Sequence, residues 1–309
     1  MDIRLQQLSY SSRLSLHSCP RKYQLYKLKS VRDDEEDSSQ SVTFAFGHVV
    51  GLGIQNCFQG LSEDRIYFNA FLMWEPDLLA DNVKQVKSFW LALNAIAKFI
   101  EMRKQGFLKD WSLVSINGKQ AVELSFIINF PDGFTYKGFV DVVLQNDLTQ
   151  EIMVVEVKTT AQNYVPAATY KNSAQAIGYS IVLDVPFPKL SGYTVKYVIY
   201  KTKTMEFEVM DFQKDYLSRA LWIREILLDI EMIKLYEGAS IYPMHGESCN
   251  AFFRECEYLS ICTLSTDKLT DTLKTEDVIK IMDMNKGDFE INLSLNDLIM
   301  SQLDKEVMG

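Results

Sequence analysis

Gly138-Phe139-Val140-Asp141-Val142-Val143-Leu144 and, a short turn later, Ile152-Met153-Val154-Val155-Glu156-Val157-Lys158 decide how this chain is read. β-Branched residues dominate both runs, and turn-prone Gln145-Asn146-Asp147 stands between them, so the pattern predicts the two strands of a hairpin. Such a hairpin brings Asp141 and Glu156 together at one end of a sheet. Lys158 follows Glu156 by two residues and shares its face. Two carboxylates and an ammonium at one spot suit a hard divalent cation and a phosphodiester. Carboxylate oxygens hold Mg²⁺ or Mn²⁺, and the cation and the lysine together stabilise charge building on phosphorus. The plain alternative is a pair of solvent-facing strand charges with a lysine partner.

Outward from the hairpin, residues 121–130 form a third strand-like run, with Glu123 near its start. Residues 195–201 and 205–210 read as a further strand pair. Helical spacing marks residues 8–28, 44–58, 173–185 and 216–236, with a mostly helical section over 66–105. Gly51 and Gly53 weaken the second of these helices on propensity alone. Ser9, Ser11 and Ser12 are available as caps. Strands in a meander followed by a helix and more strands predict an α/β fold with a mixed central sheet flanked by helices. Beyond Thr263 the chain is acidic and weakly patterned, and Ser294-Leu295-Asn296-Asp297 offers a capping box for a last short helix.

The 309 residues can bury one large core, and 47% hydrophobic with 24% charged residues is an ordinary globular balance. No apolar run approaches the ~20 residues that span a bilayer, and Met1-Asp2-Ile3-Arg4 opens no signal peptide, so a cytoplasmic protein without a membrane partner is expected. In a reducing compartment the five cysteines point to metal binding or burial rather than disulfides. A formal net charge of −9 is not that of a DNA-coating protein, yet Arg4, Arg13, Arg21, Lys22, Lys27 and Lys29 make the N-terminal region locally basic.

Asp141 followed by Glu156-x-Lys158 on adjacent strands resembles the PD-(D/E)xK nuclease superfamily. Other stretches resemble its RecB-like members in the same order along the chain. Ser9-Tyr10-Ser11-Ser12-Arg13-Leu14 and Cys19-Pro20-Arg21-Lys22-Tyr23 look like their N-terminal signature, and Gly47-His48 lies where they place a third metal ligand. Gln175 and Tyr179 match the Gln-x-x-x-Tyr motif after the catalytic strands. Cys249, Cys256 and Cys262, with Cys19, look like the four ligands of a [4Fe–4S] cluster in the iron–sulfur branch. That branch includes the AddB nuclease domain, CRISPR-adaptation nucleases and many phage exonucleases. The AddB and CRISPR versions usually place the first two C-terminal cysteines two residues apart; here six lie between Cys249 and Cys256, a gap that looks more like the phage-type members.

The resemblance implies a restriction-endonuclease-like core within a nuclease domain at residues 1–264. It carries a helical insertion at about 60–110 and a cysteine clasp between its N- and C-terminal regions. Residues 265–309 form an acidic extension that could dock a recombination or replication protein; oligomers are compatible with the pattern. It implies Mg²⁺ or Mn²⁺ held by His48, Asp141, Glu156 and the Val157 carbonyl. Lys158 orients or deprotonates the attacking water or holds the phosphate. Gln175 and Tyr179 act beside it, and Glu123 stands near the metal. Each of these also has a plain reading: a satisfied helix histidine, an edge-strand charge, ordinary helix polar residues, small buried thiols. Zinc in a four-cysteine site is the alternative to iron–sulfur. Cys57 stands apart and is expected to be buried. The expected activity is a metal-dependent deoxyribonuclease, an exonuclease on single strands or duplex ends, serving recombination, repair or phage DNA processing. A non-catalytic DNA-binding scaffold and a CRISPR-adaptation trimming factor are the rival readings.

Overall fold

The computed structural model describes residues 1–28, 42–74, 87–116, 118–188, 193–251, 254–262 and 290–294. Its helices are α1 (Tyr10–Ser18), α2 (Pro20–Leu28), α3 (Val42–Phe58), α4 (Glu63–Met73), α5 (Phe89–Lys104), α6 (Ala167–Lys171), α7 (Ala174–Val182) and α8 (Tyr216–Ala239). The strands are β1 (Gln7–Leu8), β2 (Trp111–Leu113), β3 (Ser115–Ile116), β4 (Lys119–Gln120), β5 (Val122–Asn129), β6 (Thr135–Asn146), β7 (Ile152–Thr160), β8 (Tyr193–Lys201), β9 (Glu206–Lys214), β10 (Asn250–Ala251), β11 (Arg254–Glu255) and β12 (Glu290–Ser294). One mixed sheet runs β12-β5-β6-β7-β8-β9, with β1 and β2 also pairing on β6. The α/β class expected from the sequence, a central mixed sheet with helices on it, is what forms. By contacts the chain divides into two units, Ser38–Leu124 with Phe139–Arg219, and Met1–Asp37 with Ser125–Gly138 and Ala220–Gly309.

In the first unit, β6 and β7 pair antiparallel from Gln145↔Ile152 to Val142↔Val155. Asn146 closes the turn, its side-chain oxygen accepting the N–H groups of Leu148 and Thr149, each at 2.9 Å. β7 then runs parallel to β8, from Met153↔Thr194 to Thr160↔Lys201. A parallel pair needs a crossover, and the α6–α7 segment supplies it. Val142, Leu144, Met153 and Val155 pack with Phe46, Val49 and Val50 of α3 and with Ile96 of α5 in one buried cluster. Strand alternation sends Glu156 and Lys158 to the opposite face. The glycines that weaken α3 on propensity are resolved by packing at Gly53. A Cβ there would lie 2.4 Å from Ile96 Cγ1, so α3 and α5 approach as they do because Gly53 has no side chain. The helical section expected over 66–105 appears as α4 and α5, and residues 75–86 lie outside the described residues.

In the second unit, the single helix expected over 8–28 is two. Cys19 is extended between them (φ −160°, ψ 108°), because Pro20 opens α2 and disfavours helical backbone at the residue before it. Ser9 caps α1 in a reciprocal box with Ser12. Arg13 donates to Asp229 of α8, both side chains buried, and His17 Nε2 lies 2.6 Å from the other Asp229 oxygen. The Tyr23 hydroxyl donates to the Leu5 carbonyl at 2.6 Å. Here the N-terminal signature residues tie α1 and α2 down. Gly138 lies under the Phe126 ring, where a Cβ would come within 2.6 Å of Cζ. Residues 290–294, in the stretch read as an acidic extension, pair with β5 in parallel. The expected capping box begins at Ser294, the last residue of β12; its remaining residues lie outside the described ones.

Candidate active site

The β6–β7 hairpin delivers the carboxylates. Its ladder ends at Val142↔Val155, and one step on Asp141 Oδ2 accepts the Val157 N–H at 3.0 Å. Glu156 is 1% exposed. Lys158 Nζ donates to Glu156 Oε1 at 2.5 Å and to Gln175 Oε1 at 3.1 Å. Gln175 Nε2 donates to the Tyr179 hydroxyl at 2.5 Å. Gln175 and Tyr179 stand one turn apart on α7, the helix that faces this side of β7. The Tyr179 hydroxyl also lies beside the Glu156 carboxylate and favours its charged form. Asp141, Glu156, Lys158, Gln175 and Tyr179 are thus brought together as the sequence predicts.

Burial and repulsion set the charges. Burial first, and then the Asp141 charge, push Glu156 up to about 8, against the pull of Lys158 and Tyr179. Burial also raises Asp141, opposed by Lys158 and the Val157 N–H. Burial works against the Lys158 cation, but Glu156 and Asp141 outweigh it and its pKa is raised. A lysine so held stays protonated near neutrality, which favours an electrostatic role over that of a base. Glu156 Oε2 is buried with no hydrogen-bond partner. A bare carboxylate oxygen beside a second carboxylate is costly to bury unless a cation joins them. Hard oxygen donors suit Mg²⁺ or Mn²⁺, so the residues present fit such an ion.

Two predicted neighbours are placed differently. Glu123 sits in β5 with left-handed backbone (φ 48°), a conformation rare outside glycine, and its Oε1 accepts from Gln55 Nε2 at 2.5 Å. Desolvation, and then the Asp141 charge, raise its pKa, against the pull of the Gln55 amide. His48 is exposed on α3, its ring centroid 6.4 Å from that of Phe44. Its neighbour Gly47 abuts Thr159, where a Cβ would lie 3.7 Å from Oγ1. Thr159 alternates with Lys158 and faces the other side of β7. Among the described residues no three His, Cys, Asp or Glu side chains are gathered to hold a metal ion, so His48 does not complete a three-ligand group with Asp141 and Glu156. Of Val157, the group seen at the site is its N–H.

The four cysteines of the predicted clasp all line one cavity, with Lys22, Leu25, His245 and Tyr258 among the other walls, but among the described residues no three of them are gathered closely enough there to hold a metal ion. Between Cys249 and Cys256, β10 and β11 pair antiparallel, Asn250↔Glu255 and Ala251↔Arg254. The next step of this ladder makes Cys249 and Cys256 cross-strand neighbours, the Cys256 N–H donating to the Cys249 carbonyl at 2.7 Å. Arg21 Nε donates to the Cys262 carbonyl at 2.9 Å. Burial raises the Cys262 thiol, Arg21 lowers it, and Cys19, Cys249 and Cys256 raise it further. Cys57 packs against the core of the other unit.

Sequence reasoning missed Gln55 and Lys214. Gln55 was within reach, since it lies seven residues after His48 on the same helical face. Lys214 carried no sequence signal. It is buried at the end of β9, and its Nζ donates to the Lys171 carbonyl at 2.5 Å.

A family model described as the PD-(D/E)XK nuclease superfamily matches residues 7–263. Among solved structures the chain is similar to a candidate exonuclease from Eubacterium rectale. That protein is 13% identical with a TM-score of 0.47, and the likeness covers 80% of this chain and 86% of that one. SSO0001 is also similar, 12% identical with a TM-score of 0.29, over 74% of this chain and 88% of that one. Neither likeness is close enough to transfer a property. No curated protein matches.

Proposed function

Because the chain belongs to the PD-(D/E)XK nuclease superfamily, we propose that it is a divalent-metal-dependent deoxyribonuclease, an exonuclease acting on single strands or duplex ends in recombination, repair or phage DNA processing. One observation carries this reading: two carboxylates close enough to repel each other, one Glu156 oxygen without a hydrogen-bond partner, stand beside a lysine that donates to Glu156. Asp141 and Glu156 would hold Mg²⁺ or Mn²⁺, with the Val157 carbonyl as a further donor and Glu123 nearby. When bound, the ion supplies Lewis-acid polarisation of the scissile phosphate and lowers the pKa of water.

The chain's own residues do the rest. Lys158 places a fixed positive charge where negative charge builds on the phosphate oxygens, without the cost of reorganising solvent. Gln175 accepts from Lys158 and so fixes the direction of its ammonium. Tyr179 orients Gln175 from one turn further along α7. The test is an end-labelled single strand and its duplex incubated with Mn²⁺, wild type beside Glu156→Gln. Shortening from one end by the wild type alone is expected. Folded wild-type protein that leaves every substrate intact in Mg²⁺ and Mn²⁺ refutes the activity.

Cys19, Cys249, Cys256 and Cys262 are proposed to hold a [4Fe–4S] cluster, supported by their shared cavity and by the β10–β11 pairing that sets Cys249 beside Cys256. Soft thiolates suit iron–sulfur and zinc alike. Anaerobic protein should be brown with about four irons per chain; colourless protein with one zinc would keep the clasp and exclude the cluster.

A further inference from the structure

The connection after β7 leaves the active site and comes back to it. Lys158 precedes it, and Gln175, 3.1 Å from Lys158 Nζ, follows it, so this Ω-type excursion is closed by the catalytic lysine itself. It is also pinned from beneath. Lys214 Nζ donates to the Lys171 carbonyl, and the Tyr170 ring meets Tyr197 edge-on at 4.7 Å between centroids. Tyr197 pairs with Glu156 in the β7–β8 register. A loop fixed at both ends and at its base holds its outer residues in place.

Those outer residues have a particular chemistry. Val165 is buried, but Tyr164 beside it is 77% exposed, a large ring presented to solvent on an anchored backbone. Gln162, Asn163, Lys171 and Asn172 of the same connection are also exposed. The chain has 41 Asp and Glu residues, yet none falls from Val157 to Leu183, where the charges are Lys158 and Lys171. In an acidic protein, an acid-free stretch with a presented ring, amides and a lysine is compatible with a polyanion carrying flat bases.

We infer that this loop is the single-strand guide of the enzyme, with Tyr164 stacking on an unpaired base and Lys171 contacting a backbone phosphate next to the scissile one. The inference rests on the nuclease reading and deepens it by naming single-stranded DNA as the form the site engages. A paired base has its faces covered by its neighbours, so a stacking residue selects strands that are already open.

The experiment measures the affinity of full-length protein in EDTA for a fluorescein-labelled oligo-dT, for the same strand with one abasic position moved stepwise, and for a blunt duplex. Tyr164→Ala should weaken oligo-dT binding about tenfold and duplex binding little, and Tyr164→Phe should restore it. One abasic position should cost the wild type a similar factor and cost Tyr164→Ala almost nothing. Lys171→Ala should lower the salt dependence of binding by about one counterion, alike for all sequences. If Tyr164→Ala binds and cleaves like the wild type, or loses single strand and duplex equally, the guide is refuted and the nuclease reading stands. If the wild type neither binds nor cleaves any oligonucleotide, both fall.

Discussion

The carboxylate site takes Asp141, Glu156, Lys158, Gln175 and Tyr179 from one short stretch of chain, on two strands and a helix. The cysteine site takes Cys19 from a helix boundary, Cys249 and Cys256 from either end of the β10–β11 pair, and Cys262 from the end of a 3-10 turn. The first is held by hydrogen bonds between side chains, the second by backbone contacts around a partly apolar cavity. Strands and helices fix direction to within a rotamer, and that is what reaction geometry needs. Irregular backbone can still gather soft ligands, because a bound metal supplies the final order. The two regions should therefore fail differently, one in rate and the other in stability.

The largest expected effect is on rate. Asp141→Asn and Glu156→Gln should each lower Mn²⁺-dependent cleavage by at least about a thousandfold, with melting temperature unchanged or raised, since each removes one of two repelling buried charges. An equal loss of activity and fold would erase the contrast between the sites. Cys256→Ser should do the reverse, releasing the metal and lowering the melting temperature by on the order of 5–10 °C. Iron or zinc content with calorimetry decides this, and unchanged metal content would remove Cys256 from the ligand set.

Gln175→Ala should cost roughly ten- to a hundredfold in kcat with little change in KM, because it frees Lys158 to turn rather than removing it. A change confined to KM would assign Gln175 to binding. A smaller effect concerns pH. Glu156 is raised from 4.5 to about 8 on folding, so between those values the folded chain keeps a proton that the unfolded chain has lost. The stability from this group is present below about 4.5 and lost as pH rises through 8. Metal-free protein should lose several degrees of melting temperature across that window, and Glu156→Gln should flatten the profile. The smallest effect belongs to Cys57→Ser, which should leave metal content and rate unchanged and cost ~1 kcal/mol at a partly buried site; loss of metal there would break the separation of the two regions.

Much of the candidate carboxylate site was legible because strand periodicity is strict. Glu156 and Lys158 had to share a face, and the Asn146 turn set the register that carried Asp141 to them. Gln175 and Tyr179 followed from helical spacing. His48 was not resolved by the same logic. Helical position said which residues share its face, but not that α3 would lie on the Thr159 side of β7. Glu123 was named without its partner, because its left-handed backbone is a tertiary compromise that no propensity encodes.

By itself, then, the sequence determined the α/β class, the carboxylate hairpin and the helix that answers it, since these depend on periods of 2 and 3.6 that act over a few residues. Tertiary structure alone decided that Cys249 and Cys256 become cross-strand neighbours despite their wide spacing, that Lys214 anchors the loop after β7, and that Gly53 lets α5 close on α3. Each of these joins segments far apart in the chain. Which distant segments meet is settled by how apolar faces pack, and local patterning carries no record of that choice.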